Sequence, residues 1–227
     1  PPPCARKGAC DGGGPRPSKA GERAPEAKKA LPEAVEVLVI GAGPHGLALA
    51  SRLLLGEEAM QDIIPPQEGY IRKPSAVRAH LRKKRKLKPN QLAVVDSSGA
   101  WMKRWKNQFQ ALGIEHLRSN EMMHPDSFDH STLAVWSHAN KRNGDFLFLE
   151  KLAKDGTYHG PYTLPSNKQM LDFCKHLVMA GSLDDCLWHA HVESMDQCES
   201  GMAVRVKTAR DVETVIAKHV VVARGPT

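Results

Sequence analysis

The sequence predicts an α/β fold of the Rossmann type, in which a parallel sheet is accompanied by a β-meander. Three observations lead to this prediction. A short apolar strand at 35–40 runs into a glycine-rich turn and then into an amphipathic helix. A second apolar strand at 92–95 ends in an acidic residue, and the chain finishes with several β-rich segments between 187 and 223.

The first strand and the first helix flank the pattern G-x-G-x-x-G. The glycines are Gly41, Gly43 and Gly46, and they follow the apolar run Val35–Ile40 directly. This spacing allows a tight turn, a close approach of a pyrophosphate to the backbone, and close packing of helix on strand. Pro44 suits a first helical turn, where no N–H is needed. The helix predicted over 44–55 carries apolar or small residues at helical spacing, namely Leu47, Ala50, Ser51, Leu54 and Leu55. Strand, glycines and helix together predict dinucleotide binding.

Asp96 ends the second strand and is the candidate for binding the adenosine ribose hydroxyls of a dinucleotide. It follows Leu92–Val95 and lies 50 residues after Gly46, where the usual distance is about 20. We interpret 56–90, which is rich in proline and basic residues, as a loop insertion that accounts for the excess. A carboxylate at this position suits FAD or NAD and repels the 2′-phosphate of NADP. A purely structural role for Asp96, in the turn-forming sequence 96–99, stays open.

The middle of the chain is predicted to be largely irregular. We expect 97–130 to be mostly loop with Trp101 and Trp105 embedded in it, 131–142 to be a helix, and 143–165 to be loop again.

The remainder is predicted to be one helix followed by strands. Ser166 caps the helix and Gly181 suits its end. Its apolar stripe consists of Met170, Phe173, Cys174, Leu177 and Val178. The predicted strands are Leu187–Met195, Ala203–Thr208, Val212–Ala217 and His219–Ala223, with a hairpin around 209–211.

The formal net charge of +7 over 227 residues is concentrated in two segments. Seven basic and three acidic residues lie in 1–30, and nine basic and no acidic residues lie in 72–88, which leaves −6 for the rest. We interpret 1–33 as a disordered leader rich in Pro, Gly, Ala and basic residues, with the remains of a transit peptide as the alternative. The run Arg82–Lys88 is interpreted as a solvated loop, and binding of nucleic acid or an anionic surface is the alternative.

The composition also bears on the cellular compartment of the protein and on whether it binds a metal. No run approaches the roughly 18–20 apolar residues that cross a membrane, so no transmembrane segment is predicted. The five cysteines form no C-x-x-C pair, which fits a reducing compartment and argues against structural zinc. We expect an intracellular protein, cytoplasmic or organellar and not secreted. His189 and His191 alternate on a strand but have no third ligand at suitable spacing, so no metal site is predicted.

Three stretches resemble the flavin-dependent N-hydroxylating monooxygenases, which act on lysine and ornithine, and the related flavin-containing monooxygenases. They read V-L-V-I-G-A-G-P-H-G-L-A-L-A at 37–50, V-V-D-S-S-G-A-W-M-K-R-W-K-N-Q-F at 94–109 and L-G-I-E-H-L-R-S at 112–119. The resemblance covers 35–227, with 56–90 as its main gap.

This resemblance implies an FAD-binding Rossmann domain over 34–227. The implied FAD contacts are Gly41, Gly43, Pro44, His45, Gly46, Asp96, Trp101, Trp105, Gln108 and Leu117. Val192 is implied to lie against the adenine, and Gly225 belongs to the final segment that closes the FAD domain near the flavin. A core aromatic pair is the alternative for Trp101 and Trp105, and simple surface exposure is the alternative for His45. No catalytic residue is assigned, and the sequence does not indicate the substrate.

Two features depart from the resembled family. Arg224 stands where the family usually has Thr, and the second Rossmann domain, which binds NADPH, is absent. We therefore expect the chain to be the FAD-binding module of a monooxygenase-like oxidoreductase that uses NADPH as co-substrate when complete, and not to turn over by itself. The alternatives are an NAD-dependent dehydrogenase and a non-catalytic, degenerate FAD fold that acts in redox sensing or interaction.

Overall fold

The structure is a computed structural model and describes residues 30–54, 87–126, 130–149 and 162–225. Most of the leader predicted over 1–33 and of the insertion predicted over 56–90 lies outside these residues, as does most of Arg82–Lys88.

Eight strands and four helices occur in the described part of the chain. The strands are β1 (Ala34–Ile40), β2 (Leu92–Asp96), β3 (Phe146–Leu149), β4 (Tyr162–Pro165), β5 (Leu187–His189), β6 (His191–Cys198), β7 (Gly201–Lys207) and β8 (Val212–Val222). The helices are α1 (Pro44–Leu54), α2 (Lys103–Ala111), α3 (Thr132–Ala139) and α4 (Asn167–Ala180). Short 3₁₀ turns lie at Pro89–Gln91, Asn143–Asp145 and Leu183–Cys186.

The main sheet has six strands in the order β5-β2-β1-β8-β7-β6. Strands β5, β2, β1 and β8 are parallel to one another, whereas β8, β7 and β6 form an antiparallel meander. The structure thus confirms the predicted α/β fold, with a βαβ start, a parallel sheet and a β-meander. Strands β3 and β4 form a separate antiparallel pair.

Strand β8 joins the two parts of the sheet. Its first half, 212–217, pairs with β7, and its second half, 216–222, pairs with β1. The sequence predicted two strands here, and this was wrong, because the chain continues extended through Lys218, whose ammonium group pairs with Glu36 on the adjacent strand at 2.8 Å.

The two ends of the sheet approach each other. Only Ala190 separates β5 from β6, although these strands occupy opposite ends of the strand order. Because Cα atoms two residues apart span no more than about 7 Å, the sheet has to curl until these ends meet. The predicted single strand Leu187–Met195 is therefore interrupted at Ala190, since its two halves pair with different partners.

The central strands are buried on both faces, which explains their continuous apolar sequences. Leu38 and Val39 point to opposite faces of β1, and both are fully buried. Val204, Val206, Val215 and Ala217 of the meander belong to the same buried cluster as β1 and β2. A second buried cluster lies among the helices and contains Leu47, Leu133, Trp136, Phe173 and Leu177.

Helix α4 follows its predicted pattern closely. The Ser166 side chain accepts a hydrogen bond from the backbone N–H of Gln169 at 3.0 Å, as a helix cap requires. The predicted stripe, including Cys174, is buried. Gly181 ends the helix but has right-handed backbone angles, and the left-handed residue is the next one, Ser182, with φ 48°.

The predictions for the middle of the chain need correction. The described part of 97–130 is mostly irregular, as predicted, but α2 occupies 103–111, and the prediction omitted this helix. Residues 143–165 contain β3 and β4, and the predicted helix 131–142 ends at Ala139. Several of these elements depend on contacts with distant parts of the chain. For example, the segment after α2 is bound to β4 by a hydrogen bond from the Leu117 N–H to the Pro165 carbonyl, 2.9 Å.

Polar groups connect α3, the turn after it and α4. The buried amide of Gln169 donates to the Ser137 hydroxyl at 2.8 Å and to the Arg142 carbonyl at 3.2 Å. The Arg142 guanidinium lies 2.7 Å from Asp145 and 2.8 Å from Asp172. Lys168 and Lys175 also contact the Asp172 carboxylate, each at 3.2 Å. Burial acts to raise the pKa of Asp172, but the hydrogen bonds from these three cations outweigh it, so this pKa lies below its ordinary value.

We expect Asp172→Asn to lower the free energy of unfolding at pH 7. A carboxyl whose pKa is depressed by folding stabilises the protein above its unfolded-state pKa of about 4, and this contribution is lost as the pH falls through the lower folded-state pKa. The difference between wild type and Asp172→Asn should therefore shrink on acidification below about pH 4. Urea unfolding across this pH range measures it, with Asp211→Asn in the β7–β8 turn as the matched control. A difference that is constant with pH would contradict the role of Asp172.

Candidate functional site

The candidate site lies at the carboxyl edge of the parallel strands. Here β1 ends at Ile40 and β2 ends at Asp96, with β5 and β8 on either side. The helix α1 begins four residues after β1. In open α/β sheets this edge, outside the carboxyl ends of the strands, is where ligands bind.

The turn between β1 and α1 requires two glycines for steric reasons. Gly41 has φ +113°, which L side chains rarely adopt, and a Cβ there would lie 2.9 Å from the Ala223 carbonyl oxygen. A Cβ on Gly46 would overlap the carbonyl oxygen of Gly41. The absence of both side chains lets the start of α1 pack on the end of β1 and lets β8 run beside the turn.

The backbone of this turn is fixed by bonds to its surroundings. The Gly41 N–H donates to the Val95 carbonyl at 2.8 Å, and the Ala42 N–H donates to a carboxylate oxygen of Asp96 at 2.9 Å. The Ala42 carbonyl accepts from the Met102 N–H at 2.8 Å. Two segments distant in sequence, the end of β2 and the segment at Met102, therefore hold Gly41 and Ala42 in place.

Gly43 differs from the other two glycines because it faces open space. No atom lies within 4 Å of a Cβ built at this position, and its backbone angles do not exclude a side chain. Within the described residues, no hydrogen bond occupies the backbone N–H groups of Gly43, His45 or Gly46. Unpaired N–H groups at a helix start, together with the positive end of the helix dipole, bind phosphate or carboxylate groups.

Asp96 has a structural role that leaves its carboxylate partly available. One oxygen accepts from Ala42, and the other accepts from the Ser98 N–H at 2.8 Å and the Ser98 hydroxyl at 2.5 Å. A carboxylate offers about four acceptor positions, so a further donor such as a ribose hydroxyl still finds one. The turn role and the binding role that the sequence left open are thus compatible.

A narrow cleft of about 20 Å³ lies beside Asp96. It is lined by Gly41, Asp96, Val192 and Arg224 together with Ile40, Val95, Ser97, Ala190 and His191. The curled sheet brings the start of β6 here, which places Val192 beside the β1–β2 edge. The volume accommodates about one water molecule and no aromatic ring.

A larger cleft of about 370 Å³ opens on the other side of the turn. Pro44, His45 and Ala48 from the start of α1 form one wall. The remaining lining residues are Met102, Trp105, Leu117, Ser119, Met122, Met123, His124, Pro125 and Met170. Four methionines and a tryptophan give this cleft an apolar, polarisable surface that adapts to flat ring systems.

The structure brings together most of the candidate residues from the sequence. Gly41, Gly43, Pro44, His45 and Gly46 form the turn and the helix start. Asp96 and Val192 lie at the narrow cleft, and Trp105 and Leu117 lie at the larger one.

Three candidates lie elsewhere. Gln108 is exposed on α2 and lines neither cleft. Gly225 is exposed beyond β8, with no atom near a Cβ built on it. Trp101 is half-buried between the sheet core and the helical core, and the stacked aromatic pair is Trp105 with Phe109, whose ring centres are 4.2 Å apart.

Met102 is a site residue that the sequence analysis missed. Its N–H donates to the carbonyl of Ala42 in the glycine turn, its side chain is 4% exposed, and it has the left-handed φ of 59°. A non-glycine residue in this conformation is uncommon and is maintained only by its surroundings. The only signal in the sequence is its place at the end of the short apolar run Ala100-Trp101-Met102, between Gly99 and the polar helix that follows.

Metal and thiol chemistry find no support in the described residues. No group of three or more His, Cys, Asp or Glu side chains there is arranged to hold a metal ion. His189 and His191 belong to different strands, and His189 is hydrogen-bonded to the Ser97 carbonyl at 2.8 Å. Burial raises the pKa of the Cys174 thiol, which keeps it protonated and unreactive. Across the described residues, no helix is both long and apolar enough to cross a membrane.

Comparisons with known proteins give only distant structural likenesses. No protein-family model and no curated sequence matches the chain. A polycyclic ketone monooxygenase from the thermophilic fungus Thermothelomyces thermophila is similar with a TM-score of 0.46 at 16% identity, over 88% of this chain and 24% of that one. The bacillithiol disulfide reductase of Bacillus cereus gives 0.39 at 17% identity, over 85% and 40%. The p-nitrophenol 4-monooxygenase of Pseudomonas putida DLL-E4 gives 0.39 at 14% identity, over 86% and 42%. The chain therefore spans about a quarter to two-fifths of the length of these proteins, and likeness at this level does not identify a family.

Substitution by alanine is expected to affect the free energy of unfolding very differently at two glycines of the turn. Gly46→Ala places a methyl group against a backbone carbonyl that cannot move cheaply, so we expect it to lower the free energy of unfolding by about 3 kcal/mol. Gly43→Ala places the methyl group in open space, so we expect a change within about 0.5 kcal/mol. Urea unfolding of the two variants measures this difference. Equal destabilisation by both substitutions would show that the turn is not packed as described.

Proposed function

We propose that the chain is the FAD-binding module of a flavin-dependent, monooxygenase-like oxidoreductase, in which NADPH drives hydroxylation in the complete enzyme. The observation that carries the proposal is the open approach to the backbone at Gly43, beside unpaired N–H groups at the start of α1 and one residue after Ala42, which is bonded to Asp96. The pyrophosphate of FAD would lie over Gly43, and its charge would be bound by the N–H groups of Gly43, His45 and Gly46.

The adenosine half would lie on the β2 side of the turn. Asp96 would accept hydrogen bonds from the ribose hydroxyls with the acceptor positions that Ala42 and Ser98 leave. Val192 would flank the adenine. The narrow cleft at this point does not hold an adenine ring, so its walls, which include Arg224, would have to move apart for the ring to enter.

The flavin half would lie on the opposite side, toward the larger cleft that begins at Pro44 and His45. The volume of about 370 Å³ is in the lower part of the range of about 300–1,000 Å³ that is typical of ligand pockets. Trp105 and Leu117, together with the methionines, would contact a flat apolar ring and exclude water from one of its faces. When bound, the flavin supplies the electron-transfer chemistry, and the protein supplies binding and orientation.

A non-catalytic role is the second candidate, and one observation favours it. Arg224, where the resembled family usually has Thr, lines the narrow cleft beside Asp96, where the adenine would lie. If Arg224 stays in this position, the fold remains but the dinucleotide site is closed. An NAD-dependent dehydrogenase would use the same turn and the same Asp96, and it would differ by retaining no flavin.

Retention of FAD tests the proposal directly. We expect wild-type protein, reconstituted with FAD and desalted, to retain flavin with its absorbance near 450 nm. Gly43→Val fills the space over the turn and should reduce the retained flavin by at least about tenfold without a large loss of stability. The matched control is Gly144→Val, because Gly144 also has no atom within 4 Å of its Cβ position but lies far from the turn in sequence, after α3.

The outcomes distinguish the three candidates. Flavin retained by Gly43→Val at the wild-type level would overturn the FAD assignment. Retention of NAD and not of FAD by the wild type would favour the dehydrogenase. No binding of either cofactor by the wild type, but binding by Arg224→Thr, would favour the non-catalytic protein.

A further inference from the structure

A second and larger cleft, which the proposed function does not use, lies between α2 and α4. Its volume is about 730 Å³. The start of α4 is tied to the segment that leaves α2. The Asn167 N–H donates to the Glu115 carbonyl at 2.7 Å, and the Asn167 side chain donates to the Ile114 carbonyl at 3.4 Å. Of the residues implied to contact FAD, Trp101 alone lines this cleft.

The inner surface of the cleft is apolar. Trp101 and Met102 form it on the side of α2, and Leu171, Cys174 and Val178 form it on the side of α4. Met179 extends this surface outward and is 76% exposed. An apolar surface of this kind, with a volume in the range of about 300–1,000 Å³, is typical of sites for small molecules.

The rim of the cleft is positively charged on both sides. Lys103 and Lys106 lie on the α2 rim, and Lys168 and Lys175 lie on the α4 rim. Among the described residues, those of the lining that carry negative charge are Asp172 and Asp184, so the positive charges there exceed the negative ones by two.

The carboxylate of Asp172 is already shared among several cations. Arg142, Lys168 and Lys175 all contact it, at 2.8, 3.2 and 3.2 Å. Within the described residues, no carboxylate lies at salt-bridge distance from Lys103 or Lys106. These two ammonium groups stand three residues apart on one helix face and are available to an anion that enters from solvent.

We propose that this cleft binds a small amphipathic molecule with an apolar body and a single anionic headgroup, a carboxylate or a sulfonate. The apolar body lies on Leu171, Val178 and Trp101, and the headgroup is bound at the rim by Lys103 and Lys106. The charge on the rim favours an anion over a neutral molecule of the same shape.

Two fluorescent probes with the same aromatic body test the proposal on the full chain. Anilinonaphthalene sulfonate carries the anionic group, and phenylnaphthylamine lacks it. We expect the sulfonate to bind the wild type at least about fivefold more tightly than the neutral probe. Lys103→Glu/Lys106→Glu should raise the dissociation constant of the sulfonate by about tenfold and change that of the neutral probe by less than about twofold.

The control variant carries the same change of net charge at a distant place. Lys207→Glu/Arg210→Glu alters the exposed end of β7 and the turn after it, and we expect it to leave the binding of both probes unchanged. Leu171→Trp fills the floor of the cleft and should weaken the binding of both. Thermal unfolding of each variant checks that the fold is intact, and displacement of the sulfonate by decanoate checks the ligand class.

Several results would overturn the proposal. These are equal binding of the two probes to the wild type, equal effects of the two double variants, or binding that Leu171→Trp does not alter. No variant here changes the glycine turn or Asp96, so a negative result leaves the FAD proposal standing, and loss of FAD retention leaves this one standing.

Discussion

The structure depends on the close contact between the end of β1 and the start of α1. Side chains at Gly41 and Gly46 would collide with backbone carbonyls, so this contact exists only because both positions lack a Cβ. The other features at the carboxyl edge of the sheet depend on this contact. The turn is short enough for Ala42 to reach Asp96 at the end of β2, and for the start of α1 to present its N–H groups at the edge.

The same contact links the two buried clusters. Strand β1 is part of the sheet core, and Leu47, one residue after Gly46, is part of the helical core with Phe173 and Leu177 of α4. The hydrogen bond between Met102 and Ala42 then fixes the position at which α2 begins. As a result, Met102 lines both the cleft beside His45 and the cleft between α2 and α4. The two proposed sites are therefore neighbours built on one support, although they use different side chains for binding.

The distribution of charge along the sequence differs from its distribution in the folded structure. The net positive charge of the sequence lies in 1–30 and 72–88, and the remainder is acidic overall. Within that acidic remainder, the structure gathers Lys103, Lys106, Lys168 and Lys175 around one cleft from two helices that are far apart in sequence. A count along the chain does not reveal this local excess, because acidic residues elsewhere cancel it in the total.

The sequence by itself determined β1, the glycine turn, α1, β2 and α4. Each of these is encoded locally, by a continuous apolar run, by glycines at fixed spacing, or by a helical stripe with a cap at Ser166. It also indicated the turn and Asp96 as the centre of the site.

Tertiary structure decided α2, the β3–β4 pair, the continuous strand β8 and the break at Ala190, because these depend on partners distant in sequence. It also decided that Val192 lies beside Asp96 while Gln108 lies away from both clefts at the turn. A side chain's place at an edge depends on how the sheet curls, and that curvature is fixed by the packing of the meander on the parallel strands.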